Sequence, residues 1–469
     1  MTKRRGFIKN SMMGAAGVAI GGMGFSAKSY RAIPGANDRI TVGVIGIRNQ
    51  GSVHIDSWCK LKDSHNVRIK TLCDTDEQLF ESRSKTVFDR TGMKPLTEWD
   101  LHKVFNDKDI DAVSIVTPNH WHALAAIWAC QAGKHVYVEK PAMHDIWEGK
   151  KMIEAARKYK RRMQVGLNNR SLVNVREAIK FLHEGGIGEV FLARGICYKA
   201  RDSFGIAKDN TPPATFHYDR WLGPAAYRPY NEKKSHYNFH WYWDTGNGDI
   251  GNTGPHQFDI ARWGLNKNEH PVTVYSTGGL YGFSKDDNAP KIKGVPVYGG
   301  VETYGHAKTS QETPNTQTSL LKYSDDKMLE FEVRGRYTYR ESGLGIEVGN
   351  TFFGAEGYLE LNGATWKAFH KREKEPFNGS KENKQDGTEH WANFLDAIRS
   401  GKDEALNGDI NEGFLSSALP LLSNISYRLK RELHLTGTGT NIEKFVNDPE
   451  ADAMLTRVYR PPYVVPNEV

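Results

Sequence analysis

Two places in this sequence carry side chains that could exchange a proton with a substrate hydroxyl. The first is Lys140, in the run Val138-Glu139-Lys140-Pro141 at the end of a short apolar segment. An ammonium group in a partly desolvated cleft has a lowered pKa, so it can act as a general acid or base toward a carbinol. The alternative is a solvated lysine that simply follows a strand. We take Lys140 as the main catalytic candidate.

The second place is the pair Asn252 and His256, which follows a glycine-rich run and precedes an apolar helical pattern. Residues four apart lie on one side of a helical turn, so a substrate could contact both side chains. Asp259, one turn further on, is expected to orient the imidazole. The alternative is a histidine packed at the start of a helix. We predict a helix beginning near Thr253, with both residues serving catalysis and substrate binding.

Aromatic side chains cluster just before this pair, and flat rings suit the apolar faces of pyranoses. The cluster contains Phe216, His217, Tyr218, Trp221, Tyr227, Tyr230, Tyr237, Phe239, His240, Trp241, Tyr242 and Trp243. Any one ring is more often packed against its own domain than against a ligand. From this cluster we take Trp241 as a candidate substrate contact.

The elements that must position these groups begin with the segment 39–46, whose continuous apolar, β-branched pattern is typical of a buried parallel strand. The turn Gly46-Ile47-Arg48-Asn49-Gln50-Gly51 follows, and such a turn directs backbone N–H groups and a helix N-terminus at a pyrophosphate. The pattern is imperfect because Arg48 stands where the second glycine of G-x-G-x-x-G is expected. Asp74 ends the next strand, where a carboxylate can bind both ribose hydroxyls and repel a 2′-phosphate. We therefore predict NAD as the cofactor, with NADP less favoured.

Strand and helix patterns alternate up to Val138, which indicates a doubly wound sheet with its ligands at the carboxyl ends of the strands. Two of those ends carry unusual polar runs, Thr117-Pro118-Asn119-His120-Trp121-His122 and Glu139-Lys140-Pro141. The order of glycine turn, strand-end aspartate, T-P-N-x-x-H and E-K-P resembles the Gfo/Idh/MocA family of glucose-fructose oxidoreductase and inositol dehydrogenase. The resemblance covers most of the chain after its first 36 residues.

The resemblance implies roles for individual residues. The T-P-N-x-x-H loop would lie along the nicotinamide ribose and diphosphate, and the E-K-P lysine would reach between nicotinamide and substrate, with a cis or tightly turned proline after it. The predicted cofactor-binding residues are Gly46, Ile47, Arg48, Gly51, Asp74, Thr117, Pro118, Asn119, His122, Glu139 and Lys140.

The substrate side departs from the family in one respect. Many members have Asp-x-x-x-His where this chain has Asn252 and His256. Asparagine can hold a hydroxyl but cannot take a proton, so the acid/base work shifts to Lys140 and His256. By resemblance, Arg170 is a polar residue reaching toward cofactor or substrate. We predict catalytic roles for Lys140, His256 and Asn252, and substrate contacts from Arg170, Trp241, Asn252 and His256.

The expected architecture is α/β, in three parts. Residues 1–36 form a signal peptide, 37–166 an NAD-binding Rossmann domain, and 167–469 an α+β domain with a large, mostly antiparallel open sheet. In the family this second sheet also forms the subunit interface, so the resemblance implies a homo-oligomer. The late helix near 411–431 and the tail around 459–463 are expected to be structural.

The first 36 residues suggest export. Arg4 and Arg5 precede a Gly/Ala/Met-rich apolar stretch, the layout of a twin-arginine signal, and a basic tail is the alternative. The six positive charges of this segment account for all but one of the formal +7. A nearly neutral mature protein argues against nucleic acid or an anionic membrane as partner. We predict a periplasmic or otherwise exported protein.

The cysteines and two further histidines are the other residues that could carry chemistry. Cys59, Cys73, Cys130 and Cys197 are too widely spaced for a CxxC motif and are expected to be buried thiols. His120 and His122 could be a metal pair, but no third ligand lies at a plausible spacing, so no metal is predicted.

Three functions remain open. The leading hypothesis is NAD-dependent hydride transfer at a secondary carbinol of a sugar, glycoside or polyol, with a tightly held cofactor. The second is an NAD-dependent glycosidase or lyase that oxidises C3 transiently, eliminates the aglycone, adds water and returns the hydride. The third is a sugar-binding or sensing protein without turnover.

Overall fold

The computed structural model describes residues 38–201, 204–206, 208–281, 309–335, 345–363, 365–381, 385–436 and 439–469. The predicted signal peptide lies outside these residues. Residues Ile40–Val469 group into one unit by their internal contacts. Within the described residues, no helix combines the length and the apolar character that crossing a membrane requires.

The first half of this unit is built on a six-stranded parallel sheet. Its strands are β1 (Ile40–Ile45), β2 (Val67–Cys73), β3 (Leu96–Glu98), β4 (Ala112–Ile115), β5 (His135–Val138) and β6 (Met163–Val165). Their order is β3-β2-β1-β4-β5-β6, with every neighbouring pair parallel. The helices of this half are α1 (Asn49–Lys60), α2 (Phe80–Thr91), α3 (Leu101–Asn106), α4 (Asn119–Gln131) and α5 (Ile146–Lys158). All residues of β1 and β4 are buried, which is why these strands are apolar without alternation. The predicted Rossmann sheet is confirmed.

The second half is built on a nine-stranded sheet. Its strands are β7 (Val190–Cys197), β8 (Thr273–Gly279), β9 (Thr316–Lys322), β10 (Met328–Arg334), β11 (Val348–Gly354), β12 (Gly357–Leu361), β13 (Trp366–His370), β14 (Asn378–Gly379) and β15 (Leu433–His434). The order is β14-β13-β12-β11-β7-β10-β9-β8-β15. Strands β7 and β10 pair in parallel, and the other neighbours pair antiparallel. Burial alternates along β9 and β10, as expected for a sheet with one face on a core. The mostly antiparallel open sheet is confirmed.

Helices cover the inner face of this sheet and connect the two halves. They are α6 (Val173–His183), α7 (Tyr218–Leu222), α8 (Gly248–Asn252), α9 (Gly254–Gly264), α10 (Glu389–Ser400), α11 (Ile410–Leu429) and α12 (Pro449–Ala453). Helix α10 comes late in the chain, yet Trp391 and Phe394 belong to the hydrophobic cluster around β1 and β2. The Trp391 ring stacks on Tyr137 of β5, with 5.6 Å between ring centroids. The packing of α10 therefore crosses the boundary expected at residue 166.

Candidate active site

The glycine turn after β1 opens on a cavity of about 420 Å³ at the carboxyl ends of the parallel strands. Gly46 has φ +85°, and a Cβ there would lie 2.6 Å from the Val116 carbonyl oxygen. A Cβ on Gly51 would lie 2.1 Å from the Gly46 carbonyl oxygen. Both positions exclude a side chain, so the turn keeps backbone next to the cavity.

Arg48 occupies the position of the missing second glycine. Its guanidinium is ion-paired with the carboxylate of Asp76, which is buried. The side chain is therefore bound to the β2 end of the cleft, and Arg48 itself still lines the cavity. This pairing explains how an arginine is accommodated in a turn that normally requires glycine.

Asp74, the predicted ribose-binding carboxylate, is held by two backbone donors. Its Oδ2 accepts from the Ile47 N–H at 2.8 Å, and its Oδ1 accepts from the Asp76 N–H at 2.9 Å. Burial raises the pKa of this carboxyl, while the two backbone hydrogen bonds and Arg48 act to lower it. Asp74 lines the cavity, but Ile47 does not, because its side chain is fully buried. Ile47 thus contributes through its N–H group, which orients Asp74.

The T-P-N-x-x-H run lies where β4 passes into α4, and Thr117, Pro118, Asn119 and His122 all line the cavity. The Asn119 amide donates to Asn247 Oδ1 at 3.0 Å. Both ring nitrogens of His122 lie against backbone carbonyls, at 2.7 Å from Pro141 and 2.8 Å from Thr117. His122 therefore connects the two polar runs to each other. The hydroxyl of Thr117 is buried without a hydrogen-bond partner.

Glu139 is a buried residue of the cavity lining and is anchored at both oxygens. Its Oε1 accepts from His54 Nε2 at 2.9 Å and from Gln50 Nε2 at 3.3 Å, and its Oε2 accepts from the Lys140 N–H at 3.1 Å. Burial acts to raise the pKa of Glu139, but the His54 hydrogen bond and the nearby positive groups outweigh it and hold the pKa at about 2. The carboxylate is therefore ionised at neutral pH.

Lys140 projects into the cavity from the turn after β5, and its peptide bond to Pro141 is cis. Its Nζ donates to the backbone carbonyl of Asn252 at 2.8 Å. Burial lowers the pKa of Lys140, Glu139 opposes that shift, and Lys199 adds to it. The ammonium group has one fixed acceptor, which leaves donors for a ligand.

Asn252 and His256 both line the cavity, but they belong to two helices. Asn252 ends α8, and His256 lies in the first turn of α9. Burial lowers the pKa of His256 to about 4, and Lys140 adds to this shift, so the imidazole is neutral at pH 7. Its Nδ1 is buried without a hydrogen-bond partner.

Asp259 does not orient His256, contrary to the expectation from sequence. Its two oxygens accept from Arg170 Nε, at 2.9 and 2.8 Å, and Oδ1 also accepts from the Ser416 hydroxyl at 2.6 Å. Arg170 in turn donates to Glu412 at 2.8 Å. Arg170 is 7% exposed and is not among the residues that line the cavity. The predicted contact of Arg170 with cofactor or substrate is therefore replaced by a buried ion-pair network that joins α9 to α11.

Trp241 is likewise not placed for substrate contact. It is buried, lies outside the cavity lining, and packs its ring on His240 at 4.4 Å between centroids. Its backbone carbonyl accepts from the N–H groups of Glu312 and Thr313. The Trp241 ring therefore packs within the aromatic segment and stabilises it. From that segment Trp221, Tyr237 and Phe239 reach the cavity instead.

Residues 215–221, which we call the strap, end at the cavity, where Arg220 and Trp221 belong to its lining. The His217 N–H donates to the Thr75 carbonyl at 2.8 Å, and the His217 ring stacks on Trp99 with 4.2 Å between centroids. At the other end, the Trp221 carbonyl accepts from Trp121 Nε1 and contacts His120 Nε2, each at 3.0 Å. The strap thus joins the second half of the chain to two strand ends of the Rossmann sheet.

Sequence reasoning missed several residues that line the cavity. They are Trp99, Asp100, Leu101, His102, Lys199, Arg201, Arg220, His236 and Tyr463. Tyr463 belongs to the tail that was expected to be purely structural. Most of them belong to no motif. Side chains alternate along β7 and the segment after it, and this alternation is the signal that could have indicated Lys199 and Arg201.

The cysteines and histidines are placed as follows. All four cysteines are free and buried, as predicted. Both ring nitrogens of His120 lie against backbone carbonyls, those of Thr245 and Trp221. Among the described residues, no group of three or more His, Cys, Asp or Glu side chains could hold a metal ion.

The cavity fits a dinucleotide in its construction. The glycine turn keeps backbone without a side chain at Gly46 and Gly51, Asp74 is fixed at the β2 end, and the Thr117 hydroxyl and His256 Nδ1 are buried polar atoms without partners. Lys140 stands at the other end from Asp74, beside residues of α8 and α9. Cofactor and substrate would therefore share one cavity, with Lys140 between them.

Comparison with known proteins identifies the family. Residues 40–167 match the oxidoreductase family with an NAD-binding Rossmann fold, and residues 202–278 match the C-terminal alpha/beta domain of the same family. The chain belongs to the Gfo/Idh/MocA oxidoreductase family.

Curated relatives match part of the chain. A glycosyl hydrolase family 109 protein from Shewanella pealeana is 32% identical over 169 residues, 33% of this chain and 36% of that protein. An alpha-N-acetylgalactosaminidase from Shewanella oneidensis is 31% identical over 121 residues, 25% of this chain and 26% of that protein. The match thus spans about a third or less of the relatives' length.

Solved structures share the fold over most of the chain. Aldose-aldose oxidoreductase from Caulobacter crescentus, complexed with glycerol, has a TM-score of 0.61 at 16% identity and covers 85% of this chain and 100% of its own. A levoglucosan dehydrogenase in complex with NADH and levoglucosan has a TM-score of 0.60 at 17% identity, with the same coverage. At these identities the likeness establishes the fold.

Proposed function

We propose that this protein is an NAD-dependent oxidoreductase that acts on a secondary carbinol of a sugar, glycoside or related polyol. The observation that carries the proposal is the placement of Lys140, whose Nζ is held by the Asn252 carbonyl at 2.8 Å inside the cavity. When bound, NAD supplies the hydride acceptor and donor. The protein side chains then have to hold the carbinol and move its proton.

Lys140 has the properties of the proton-transferring group. Burial lowers its pKa toward the range where it can both take and return a proton near neutral pH. Glu139, ionised and fixed by His54, limits that shift and keeps the protonated form accessible. Lys140 would take the hydroxyl proton during oxidation and return it during reduction.

His256 and Asn252 would hold the substrate hydroxyls. With a pKa of about 4, His256 is a neutral imidazole at pH 7 and can accept or donate a hydrogen bond without carrying charge. Asn252 has its carbonyl committed to Lys140, so its side chain is the part available to a sugar. The absence of a carboxylate at position 252 leaves Lys140 as the principal proton-transferring group.

The cofactor-binding residues favour NAD over NADP and tight retention. Asp74 places a fixed carboxylate at the ribose end, and the only cation of the glycine turn, Arg48, is neutralised by Asp76. The strap is bound to the end of β2 and to α4, and its Arg220 and Trp221 line the cavity in which a dinucleotide would lie. A retained cofactor that is regenerated within the cycle suits these contacts.

The second candidate is redox-neutral cleavage of a glycoside, in which the sugar is oxidised and reduced again within one cycle. It is favoured by the partial match to proteins named glycosyl hydrolase family 109 and alpha-N-acetylgalactosaminidase. Both candidates use the same cavity and the same lysine. They differ in product, since one leaves a ketone and the other releases an aglycone.

One preparation tests both candidates. Purified protein is dialysed and denatured, and the released nucleotide is quantified and identified as NAD or NADP. Folded protein is then incubated with a panel of sugars and aryl glycosides, while ketone formation, net NADH and aglycone release are measured separately. We expect close to one NAD per chain and one of these products. A protein that keeps NAD but changes no sugar would be a binding or sensing protein, and the proposal would be wrong.

We also propose that the protein acts outside the cytoplasm, on the strength of Arg4 and Arg5 before an apolar stretch. A cofactor taken up before export would then have to be retained, which agrees with the strap. Fusing residues 1–36 to a reporter that is active only after folded export tests this. Changing both arginines to lysine should abolish export, and continued export would contradict the proposal.

A homo-oligomer is proposed from the outer face of the nine-stranded sheet. Tyr275 and Leu320 lie opposite each other on β8 and β9 and are 43% and 40% exposed. Large apolar side chains on an open sheet face are suited to burial against another copy. Light scattering of the purified protein measures the copy number, and a monomer at working concentration would exclude this assembly.

A further inference from the structure

The segment that leaves strand β7 carries two cations toward the substrate end of the cavity. Side chains alternate along an extended segment, so Cys197, Lys199 and Arg201 fall on one face. Cys197 is buried, and its thiol is hydrogen-bonded to the Thr253 side chain. Lys199 and Arg201 line the cavity together with Thr253. The face of this segment that carries Cys197 in the core therefore carries cations where it reaches the cavity.

Arg201 has its charge compensated by fixed partners. Its Nη2 donates to Asp249 Oδ1 at 3.1 Å, and its Nη1 donates to the Tyr237 hydroxyl at 2.9 Å. Asp249 is fully buried at the start of α8, so this pair is part of the structure of the cavity wall. Arg201 is thus held in place facing the cavity.

Lys199 is different, because it is exposed to solvent and has no ion-pair partner in the described part of the chain. Its charge nevertheless acts on the catalytic groups, since it lowers the pKa of both Lys140 and His256. At this end of the cavity, Glu139 offsets Lys140 and Asp249 offsets Arg201. Among the described residues, no carboxylate forms an ion pair with Lys199.

The position of Lys199 separates it from the phosphates of a dinucleotide. Those phosphates belong at the glycine turn after β1, which is on the Rossmann side of the cavity. Lys199 comes from the second sheet and lies with Lys140 and His256, where the substrate would be held. An anion that pairs with Lys199 would therefore be part of the substrate.

We propose that the substrate is an acidic sugar, carrying a carboxylate or a sulfate ester that Lys199 binds beside Arg201. The proposal rests on the proposed function, since it names the substrate class of the same site. An ammonium group forms charge-assisted hydrogen bonds with either anion, and the fixed Arg201 supplies a second positive charge on the same wall. A neutral sugar would give the Lys199 ammonium group no charged partner.

The test uses the folded protein with its bound NAD and matched pairs of methyl glycosides. Glucoside is compared with glucuronide, galactoside with galacturonide, and each neutral sugar with its 6-sulfate, in both anomers. We expect the charged member of the preferred pair to have a kcat/KM higher by about tenfold or more, mainly through KM, as one charge-assisted contact provides. Preference for uronates or for sulfates tells which anion is bound.

Variants at position 199 assign the preference to the lysine. Lys199→Met should remove most of the charged-over-neutral preference, which is measured as the ratio of the two kcat/KM values within a pair. Lys199→Glu should reverse the preference, so that an amino sugar glycoside is favoured over a uronate. Lys402→Met, which changes an exposed lysine outside the cavity lining, is the matched control and should keep the wild-type preference.

Two results would overturn the inference. One is equal activity of wild-type protein on charged and neutral members of every pair. The other is an equal loss on both members in Lys199→Met, because that pattern belongs to a change in the pKa of Lys140. Either result leaves the proposed function standing if neutral sugars are turned over. If no sugar reacts with the NAD-loaded protein, it is the proposed function that fails.

Discussion

The two ends of the cavity differ in how completely their polar groups are already bonded. At the cofactor end, Asp74 accepts two backbone N–H groups and both nitrogens of His122 lie against carbonyls, while the Thr117 hydroxyl has no partner. At the substrate end, Lys140 has one fixed acceptor, His256 Nδ1 has no partner, and Lys199 has no counter-ion in the described chain. The cofactor end is preorganised for one cofactor. The substrate end keeps donors, acceptors and a charge free to bind a substrate.

This contrast predicts how the loss of a group at either end should be observed. Groups that are already bonded contribute by holding shape, and their loss should appear as loss of stability or of cofactor selectivity. Groups with unfilled bonding capacity contribute when the substrate arrives, and their loss should appear in turnover.

The largest effect is expected at the substrate end, from Lys140→Met. Removing the group that transfers the hydroxyl proton should lower kcat by about 10²–10⁴, the usual contribution of general acid-base catalysis. The bound NAD content and the melting temperature should stay near wild type, because Lys140 makes a single fixed hydrogen bond. Steady-state kinetics on the best substrate of the panel measures this.

Lys134→Met is the matched control for a buried lysine. Lys134 lies outside the cavity lining and donates to the carbonyls of Asp107 and Ile110. The Lys134→Met variant should lose stability but keep the wild-type kcat per folded molecule. If Lys140→Met retained activity within a few-fold of wild type, Lys140 would not be the proton-transferring group.

The next largest effect is a loss of stability from Arg170→Met. Removal of Arg170 leaves the Asp259 carboxylate buried with fewer donors, and breaking a buried ion pair costs about 3–5 kcal/mol. Denaturant unfolding followed by tryptophan fluorescence measures the free energy of unfolding. KM for the sugar should not change in the fraction that stays folded. A raised KM with unchanged stability would return Arg170 to the substrate contacts expected from sequence.

Arg170 also illustrates what the sequence could and could not predict. Motifs made of neighbouring residues, such as the glycine turn, the strand-end aspartate and E-K-P, predicted the Rossmann sheet correctly, because their geometry is local. The structure brings residues of all three motifs to the lining of one cavity. The partners of Arg170, Asp259 and Glu412, are 89 and 242 residues away, so only the packed structure brings them together.

The aromatic segment shows the same limit on a smaller scale. Trp241 was chosen from a run of rings, yet it is buried and Tyr237 and Phe239 line the cavity. Residues 236–241 form a 3₁₀ helix, and the direction of each ring depends on where that short helix lies against α8. Composition indicated a sugar-like site, but which ring reaches it follows from tertiary packing.

A smaller effect, at the cofactor end, is expected from Asp74→Ser. Loss of the carboxylate removes its repulsion toward a 2′-phosphate and its hydrogen bonds to the ribose, so discrimination between NAD and NADP should fall by about tenfold. Titration of both cofactors into protein stripped of nucleotide measures the ratio of Kd values. Asp76→Ser is the informative comparison, because it frees Arg48 and should favour NADP through a cation. An unchanged ratio in Asp74→Ser would exclude Asp74 as the ribose-binding residue.

The smallest expected effect concerns Glu139, which belongs to both ends of the cavity. Glu139→Gln keeps the shape and an acceptor for His54 but removes the charge that raises the pKa of Lys140 and of His256. Both pKa values should fall, so the limb of the kcat/KM profile that reports Lys140 should move to lower pH. Glu177→Gln, at an exposed position of α6, should leave the profile unchanged.

The stability of the same variant has a definite sign. The folded-state pKa of Glu139 is held at about 2, below the usual value of 4.5, so its charge stabilises the fold above pH 4.5 and this contribution is lost as the pH falls toward 2. Wild-type protein should therefore lose stability over that interval more steeply than Glu139→Gln. If both proteins lost stability in acid with the same slope, or if the limb of the kcat/KM profile did not move, the role of Glu139 would be limited to supporting the turn that carries Lys140. In that case Glu139 would belong with the bonded groups of the cofactor end, although it directly precedes the catalytic lysine of the substrate end.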